Sequence, residues 1–295
     1  MGSLTADSHS GVVITAAPTG PIARKEDNPG LPTTPEEIAE SAERCFAAGA
    51  SIVHVHLRDA LQRPTADLTI AARTMDLIQE TCPILIQLST GVGLDVPFEA
   101  REQLIELRPR MATLNPCTMS FGDGEFRNPP DGVRRMAARM IELDVKPELE
   151  IYDTGHVDAA LRLLDEGLLV EPLQVSVVMG VRGGMAATPD NLVHTLRMLP
   201  ESAIWQVIAI GRAHLPMTAI GLAMGGNVRT GMEDTLYMRR GELAVSNESL
   251  VERLVTLTRA LDRIPSDVSA TERFLGLAPR GDSTAPLPSR VASAE

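Results

Sequence analysis

The sequence predicts an α/β fold, a (β/α)8 TIM barrel, on three observations. Its 295 residues suit one barrel of roughly 250 residues with short tails. Eight short apolar runs recur along the chain, each separated from the next by enough residues for one helix and its loops. Helix-start signals stand at the head of several of those intervening stretches.

VVITAA (12–17) is the first strand, and the PTGPIA after it is not the GxGxxG turn that a doubly wound dinucleotide-binding sheet calls for. Thr34, followed by Pro35, Glu36 and Glu37, opens the first helix. The hydroxyl caps a free backbone N–H, the proline sits where no N–H is needed, and the acids lie at the positive end of the helix dipole. SIVHVHL (51–57), ILIQLS (84–89), MATLN (111–115), PELEIY (147–152) and LQVSVVM (173–179) are the second to sixth strands. Thr188, with Pro189 and Asp190, opens the helix after the sixth. IWQVIAI (204–210) and NVRTG (227–231) complete the barrel, and Asn247 to Arg263 is the amphipathic eighth helix. A single catalytic domain is therefore expected over residues 11–278. Residues 1–10 are small and polar, and the Pro/Ser/Ala-rich stretch 279–295 has no periodic apolar face. Both read as disordered or flexible tails.

The charge balance is 27 − 39 = −12, which argues against nucleic acid or an anionic membrane as the main partner. Aromatic residues make up 3%, too few for base-stacking platforms. No apolar run reaches the length of a membrane span. The start, MGSLTADSHSG, has no basic segment followed by an apolar stretch, so no secretory signal is expected. Cys45, Cys82 and Cys117 are odd in number and widely spaced, which points to the cytoplasm and to no disulfide framework.

Barrel active sites sit at the C-terminal ends of the strands, so the polar residues there carry the chemistry. Alternation places His54 and His56 on one face of the second strand and Val53, Val55 and Leu57 on the other. The apolar face packs on helices, so both imidazoles point into the barrel mouth. Such a pair can chelate one metal ion, and two hydrogen-bonded structural histidines are the other reading of it. A catalytic zinc takes three protein ligands, and Glu233 or Asp234, just past the eighth strand, can supply the third. Ser89 and Thr90 end the third strand, Thr113 and Asn115 share a face of the fourth, and Glu150 points inward on the fifth. Arg229 needs paired charge once buried, and these carboxylates can provide it. The glycine-rich stretches GVRGGMAATPDN (180–191), IGR (210–212) and MGGN (224–227) mark close backbone approach or ordinary turns.

The segments VVITAAPTGP, TPEEIAESAERCFAAGASIVHVHLRD, MATLNPCTMSFG, PELEIYDTGH, GVRGGMAATPDNL and GGNVRTGMED, in that order, resemble the beta-keto acid cleavage enzyme family over about residues 12–278. The resemblance implies a zinc-dependent TIM barrel, a homotetramer. Its reaction takes a β-keto acid and acetyl-CoA to acetoacetate and a new acyl-CoA. It implies His54, His56 and Glu233 as the zinc ligands and Asp234 as general base. Arg229 would orient Asp234 and pair with Glu150. Ser89 and Thr113 match the family's contacts to the substrate carboxylate and carbonyl, and Asn115, on the same face as Thr113, joins them as a substrate contact. Members that cleave an aminated keto acid carry a glutamate just after the TG of the first loop, facing the substrate ammonium. The matching position here is Ile22, which implies a neutral or aliphatic substrate tail, with Arg24 and Lys25 close by as an anchor for an anionic one.

Zinc is a Lewis acid that favours loss of the proton beside a ketone, so no redox cofactor is expected. The partners expected are two small molecules, the β-keto acid and acetyl-CoA. The same ligand set suits a zinc-dependent aldolase or other C–C lyase acting without CoA, and a demand for acetyl-CoA separates the two. A barrel that only stored metal would have no use for Arg229 and the additional carboxylates.

Overall fold

A computed structural model of the protein describes residues 11–277, so the two expected tails, 1–10 and 279–295, lie outside the described residues. Eight parallel strands close into a barrel. They are β1 (Ile14–Ala16), β2 (Ile52–Val55), β3 (Leu85–Leu88), β4 (Met111–Leu114), β5 (Lys146–Ile151), β6 (Gln174–Met179), β7 (Ile204–Ala209) and β8 (Asn227–Thr230). Each pairs with its chain neighbour, and β8 pairs with β1 to close the ring. Seven lie wholly within the apolar runs of the sequence, and β5 starts one residue earlier, at Lys146.

The helices are α1 (Pro35–Ala48), α2 (Leu68–Thr81), α3 (Phe98–Glu102), α4 (Pro130–Glu142), α5 (Thr154–Asp165), α6 (Pro189–Leu196), α7 (His214–Ala223), α8 (Asn247–Ala260) and α9 (Val268–Leu275). The expected caps form. Thr34 accepts from the Glu37 amide while the Glu37 side chain reaches back, a full capping box, and Thr188 accepts from the Asn191 amide. The eighth helix stops at Ala260, three residues short of the expected end. Asp262 adopts φ 56°, and the Arg263 guanidinium turns away to donate to the Leu222 and Gly226 carbonyls.

Outward residues of the strands pack on the helices: Val53, Val55 and Leu57 meet Ile38, Ala42, Met75 and Ile78. Each such side chain contributes about 1.5–3 kcal/mol relative to exposure. Inward residues are layered. Val13, Ile52, Leu85, Met111 and Ile204 form an apolar floor, which Leu275 of α9 plugs from below. Above it lies a polar layer of Gln87, Glu148, Ser176 and Gln206, all buried. Helix α9 and two short hairpins, Met119–Phe121 with Gly124–Phe126 and Tyr237–Arg239 with Glu242–Leu243, were not expected from the periodicity. No helix among the described residues is long and apolar enough to cross a membrane.

Candidate active site

β2 delivers His54 to the barrel interior, and His56 stands two residues on, past the strand end. Glu233 arrives from the turn after β8. That turn is tight against β1: Gly231 has φ +154°, and a Cβ there would meet the Ala17 carbonyl oxygen at 2.0 Å. Only glycine fits the approach, which lets the Glu233 amide donate to the Ala17 carbonyl at 3.2 Å. Gly20, in the loop after β1, is as close on the other side. A Cβ there would lie 2.5 Å from Glu233 Cγ. Arg58, buried past the end of β2, holds that loop by donating to the Gly20 and Ala23 carbonyls.

Glu233 faces both imidazoles. His54 Nε2 lies 3.5 Å from Glu233 Oε2, and His56 Nε2 lies 3.5 Å from Glu233 Oε1. One ligand atom from each of the three residues falls within 4.8 Å of the others, the spacing of a cluster that can hold a metal ion. His54 Nε2 and Glu233 Oε2 are buried without a hydrogen-bond partner among the described residues. Such orphaned atoms suit a cation between them. Burial lowers the His54 imidazole to about 3, against the pull of Glu233, so it stands neutral as a ligand must. Burial raises Glu233, but Arg229, His54 and His56 outweigh it and hold the carboxyl far below the usual range.

Arg229, on β8, organises the remaining acids. Its Nε donates to Asp234 Oδ2 at 3.0 Å and its Nη2 to Asp234 Oδ1 at 2.9 Å. Nη2 also meets Glu233 Oε1 at 2.5 Å, and Nη1 lies 3.9 Å from Glu150 Oε1. Burial pushes Asp234 up to about 6 in spite of Arg229, and pushes Glu150 up to about 7. Tyr152 donates its hydroxyl to Glu150 Oε2 at 3.3 Å. Three acids, Glu150, Glu233 and Asp234, thus surround one buried cation, an imbalance that a divalent ion at the histidines would offset.

Of the other expected residues, Ser89, Thr113 and Asn115 are buried at inward positions of the neighbouring strands. Ser89 Oγ accepts from the Gly91 amide at 3.2 Å, and Thr113 Oγ1 from the Thr90 amide at 3.0 Å. The Asn115 carboxamide stands beside Glu150 and favours the charged form of that carboxyl. Ile22 stands apart from this group: it is 71% exposed on the loop after β1. Gln87, Glu148, Tyr152, Arg58 and His214 were not singled out in the sequence. Alternation from Ser89 and Glu150 would have reached Gln87, Glu148 and Tyr152, which share their inward phase.

A closed parallel barrel with acid–base groups and a candidate metal cluster at the strand ends is the architecture of a (β/α)8-barrel enzyme. Apo ObcA shares the fold with a TM-score of 0.73 and 20% sequence identity, over 84% of this chain and 66% of that one. The beta-keto acid cleavage enzyme profile matches residues 11–277, and the chain belongs to that family. The 3-keto-5-aminohexanoate cleavage enzyme of Fusobacterium nucleatum subsp. nucleatum is 41% identical over 268 residues, 90% of this chain and 98% of that protein. The 3-oxoadipate:acetyl-CoA acetyltransferase of Cupriavidus necator is 35% identical over 269 residues, 90% of this chain and 94% of that protein. The fold and family read from the sequence are met, and the acyltransferase class agrees with the names of the relatives.

Proposed function

We propose that this chain is a zinc-dependent enzyme that condenses a β-keto acid with acetyl-CoA and releases acetoacetate and a new acyl-CoA. The observation that carries the reading is the convergence of His54, His56 and Glu233 beside the Arg229–Asp234 pair. His54, His56 and Glu233 would hold the ion, since imidazole nitrogens with one carboxylate and an open position suit catalytic zinc. Zinc bound there supplies Lewis-acid polarisation of the keto group, which makes the neighbouring carbon acidic.

The remaining roles fall to the chain's own side chains. Asp234 takes the proton from that carbon, and a carboxyl raised to about 6 suits a base working near neutral pH. Arg229 fixes the Asp234 carboxylate by its two parallel bonds and keeps the adjacent acids paired. Glu150, held near 7, is placed to pass protons on the far side of Arg229. Ser89, Thr113 and Asn115 present hydroxyl and amide groups for the substrate carboxylate and carbonyl. The deprotonated carbon attacks the thioester and thiolate leaves. The thiolate then attacks the original keto carbon, whose bond to the acetoacetate carbon breaks, and Asp234 returns its proton to that carbon.

This single domain works in the cytoplasm as a homotetramer, which light scattering tests. The deciding experiment for the reaction gives the zinc-loaded protein a panel of β-keto acids with acetyl-CoA and follows acyl-CoA by mass spectrometry. The expected result is an acyl-CoA that carries each keto acid's tail, with nothing formed when acetyl-CoA is left out. Cleavage without acetyl-CoA would instead make the protein an aldolase-like C–C lyase.

A further inference from the structure

The interior polar layer is unusual for a barrel, whose inward positions are dominated by branched apolar side chains. Glu148 lies at its centre, fully buried. Its Oε2 accepts from Gln87 Nε2 and from Gln174 Nε2, each at 2.7 Å. Its Oε1 accepts from Ser176 Oγ at 2.6 Å and from Gln206 Nε2 at 3.3 Å. An amide nitrogen can only donate and an amide oxygen can only accept. With its NH2 committed to Glu148, Gln87 must turn its oxygen the other way. There it lies 2.7 Å from His54 Nδ1. An oxygen at that distance requires the proton on Nδ1, and in the neutral ring this leaves the lone pair on Nε2, the atom that faces Glu233.

The geometry assigns to Gln87 and Glu148 a positioning role: together they fix the tautomer and ring plane of His54 so that Nε2 is ready to take a metal. The inference rests on the metal site proposed above for its purpose, though not for the tautomer itself. Neither residue bonds to Glu233 or Asp234; the Gln87 amide links Glu148 to His54, while the charge of Glu148 also raises the Glu150 carboxyl. The chain from Glu148 through the Gln87 amide to the imidazole does what a carboxylate bonded directly to a metal-bound histidine does elsewhere, with one amide interposed.

The test begins with metal-free protein labelled with 15N-histidine, the His54 signals being assigned by their loss in His54→Gln. Long-range 15N–1H spectra are expected to show one neutral tautomer for His54, protonated at Nδ1. A proton on Nε2 would overturn the inference without any variant. Gln87→Met, similar in volume but unable to bond, is expected to give a mixture of tautomers and about 10- to 100-fold weaker zinc binding in chelator competition. Gln87→Glu keeps an oxygen toward His54 and should retain the Nδ1–H tautomer. Glu148→Gln should release the Gln87 amide and weaken zinc binding in the same direction. Unchanged tautomer and zinc affinity within twofold of wild type in folded Gln87→Met would overturn the assignment. Wild type that holds no zinc but shows the Nδ1–H tautomer would remove the metal reading and leave the positioning of His54 standing.

Discussion

Arg229 and Asp234 meet fork to fork inside the barrel mouth, with Nε to Oδ2 at 3.0 Å and Nη2 to Oδ1 at 2.9 Å. Such a pair has a fixed plane, which a flexible ammonium cannot reproduce. Arg229→Lys should keep the charge and lose the orientation, with kcat down at least tenfold and KM for the keto acid nearly unchanged. Arg229→Ala leaves buried acids without their cation and should cost about 3–5 kcal/mol of stability. Steady-state kinetics and urea denaturation read the two effects separately.

Asp234→Asn tests the base. The amide retains the volume and one bond to Arg229 but cannot take a proton at neutral pH. Turnover should fall by roughly 10²–10⁴-fold while bound metal and unfolding midpoint stay near wild type. A loss of only a fewfold would move the base to another group, with Glu150 the nearest candidate.

The metal prediction is stoichiometric. Elemental analysis of active protein should find one divalent ion per chain, and zinc should restore activity after removal by a chelator. His54→Ala, His56→Ala and Glu233→Gln should each lower the metal-to-chain ratio well below one and abolish turnover. Full activity in metal-free protein would contradict the proposed chemistry.

Ile22 is the position at which the proposed substrate preference is tested. With no carboxylate at that position, an ammonium tail goes unpaired, at about 1–3 kcal/mol, while an aliphatic tail gains about 0.8 kcal/mol for each CH₂ it buries. Because Ile22 is 71% exposed, there is apolar surface for a tail to cover. The ratio of kcat/KM for 3-oxohexanoate over 5-amino-3-oxohexanoate is expected to exceed one, and Ile22→Glu should lower it. A 3-oxoadipate-like substrate measures any contribution from Arg24 and Lys25. A preference of the wild type for the aminated acid would reverse the expectation.

His214 gives the fold an acid-sensitive element away from the proposed metal ligands. Its Nε2 contacts Thr230 Oγ1 at 2.8 Å, and its Nδ1 contacts the Ala209 carbonyl at 3.2 Å. Burial lowers the imidazole from 6.5 to about 4. Between those limits the unfolded chain binds a proton that the folded chain does not. The stability is fully present above pH 6.5 and falls as the pH drops from 6.5 toward 4, by up to ~3 kcal/mol. Urea midpoints measured at pH 7 and pH 5 should lie closer together in His214→Asn than in wild type.

Much of the barrel was legible because burial on both faces makes each strand a short apolar run and each helix start needs its cap. The two imidazoles were legible for a similar reason: His54 and His56 break an apolar run with a period of two. Glu233 and Asp234 stayed interchangeable in the bare pattern, because the choice depends on how sharply the chain turns at Gly231, and that turn is set by contact with Ala17. Helix α9 escaped notice because its eight residues are too short for a firm period and their apolar side serves the floor of the barrel rather than its outer ring. Gln87 and Glu148 were overlooked because polar residues inside a strand read as surface unless alternation is followed to the interior.

The plug at the base of the barrel bears on the direction of approach. With Leu275 seated among Val13, Ile52, Leu85, Met111 and Ile204, hydrocarbon lines the lower end. The candidate site lies at the other end, where β2, β5 and the turn after β8 converge. A polar molecule coming from below would have to shed its water to cross that hydrocarbon, so the strand-end mouth is the less costly way in.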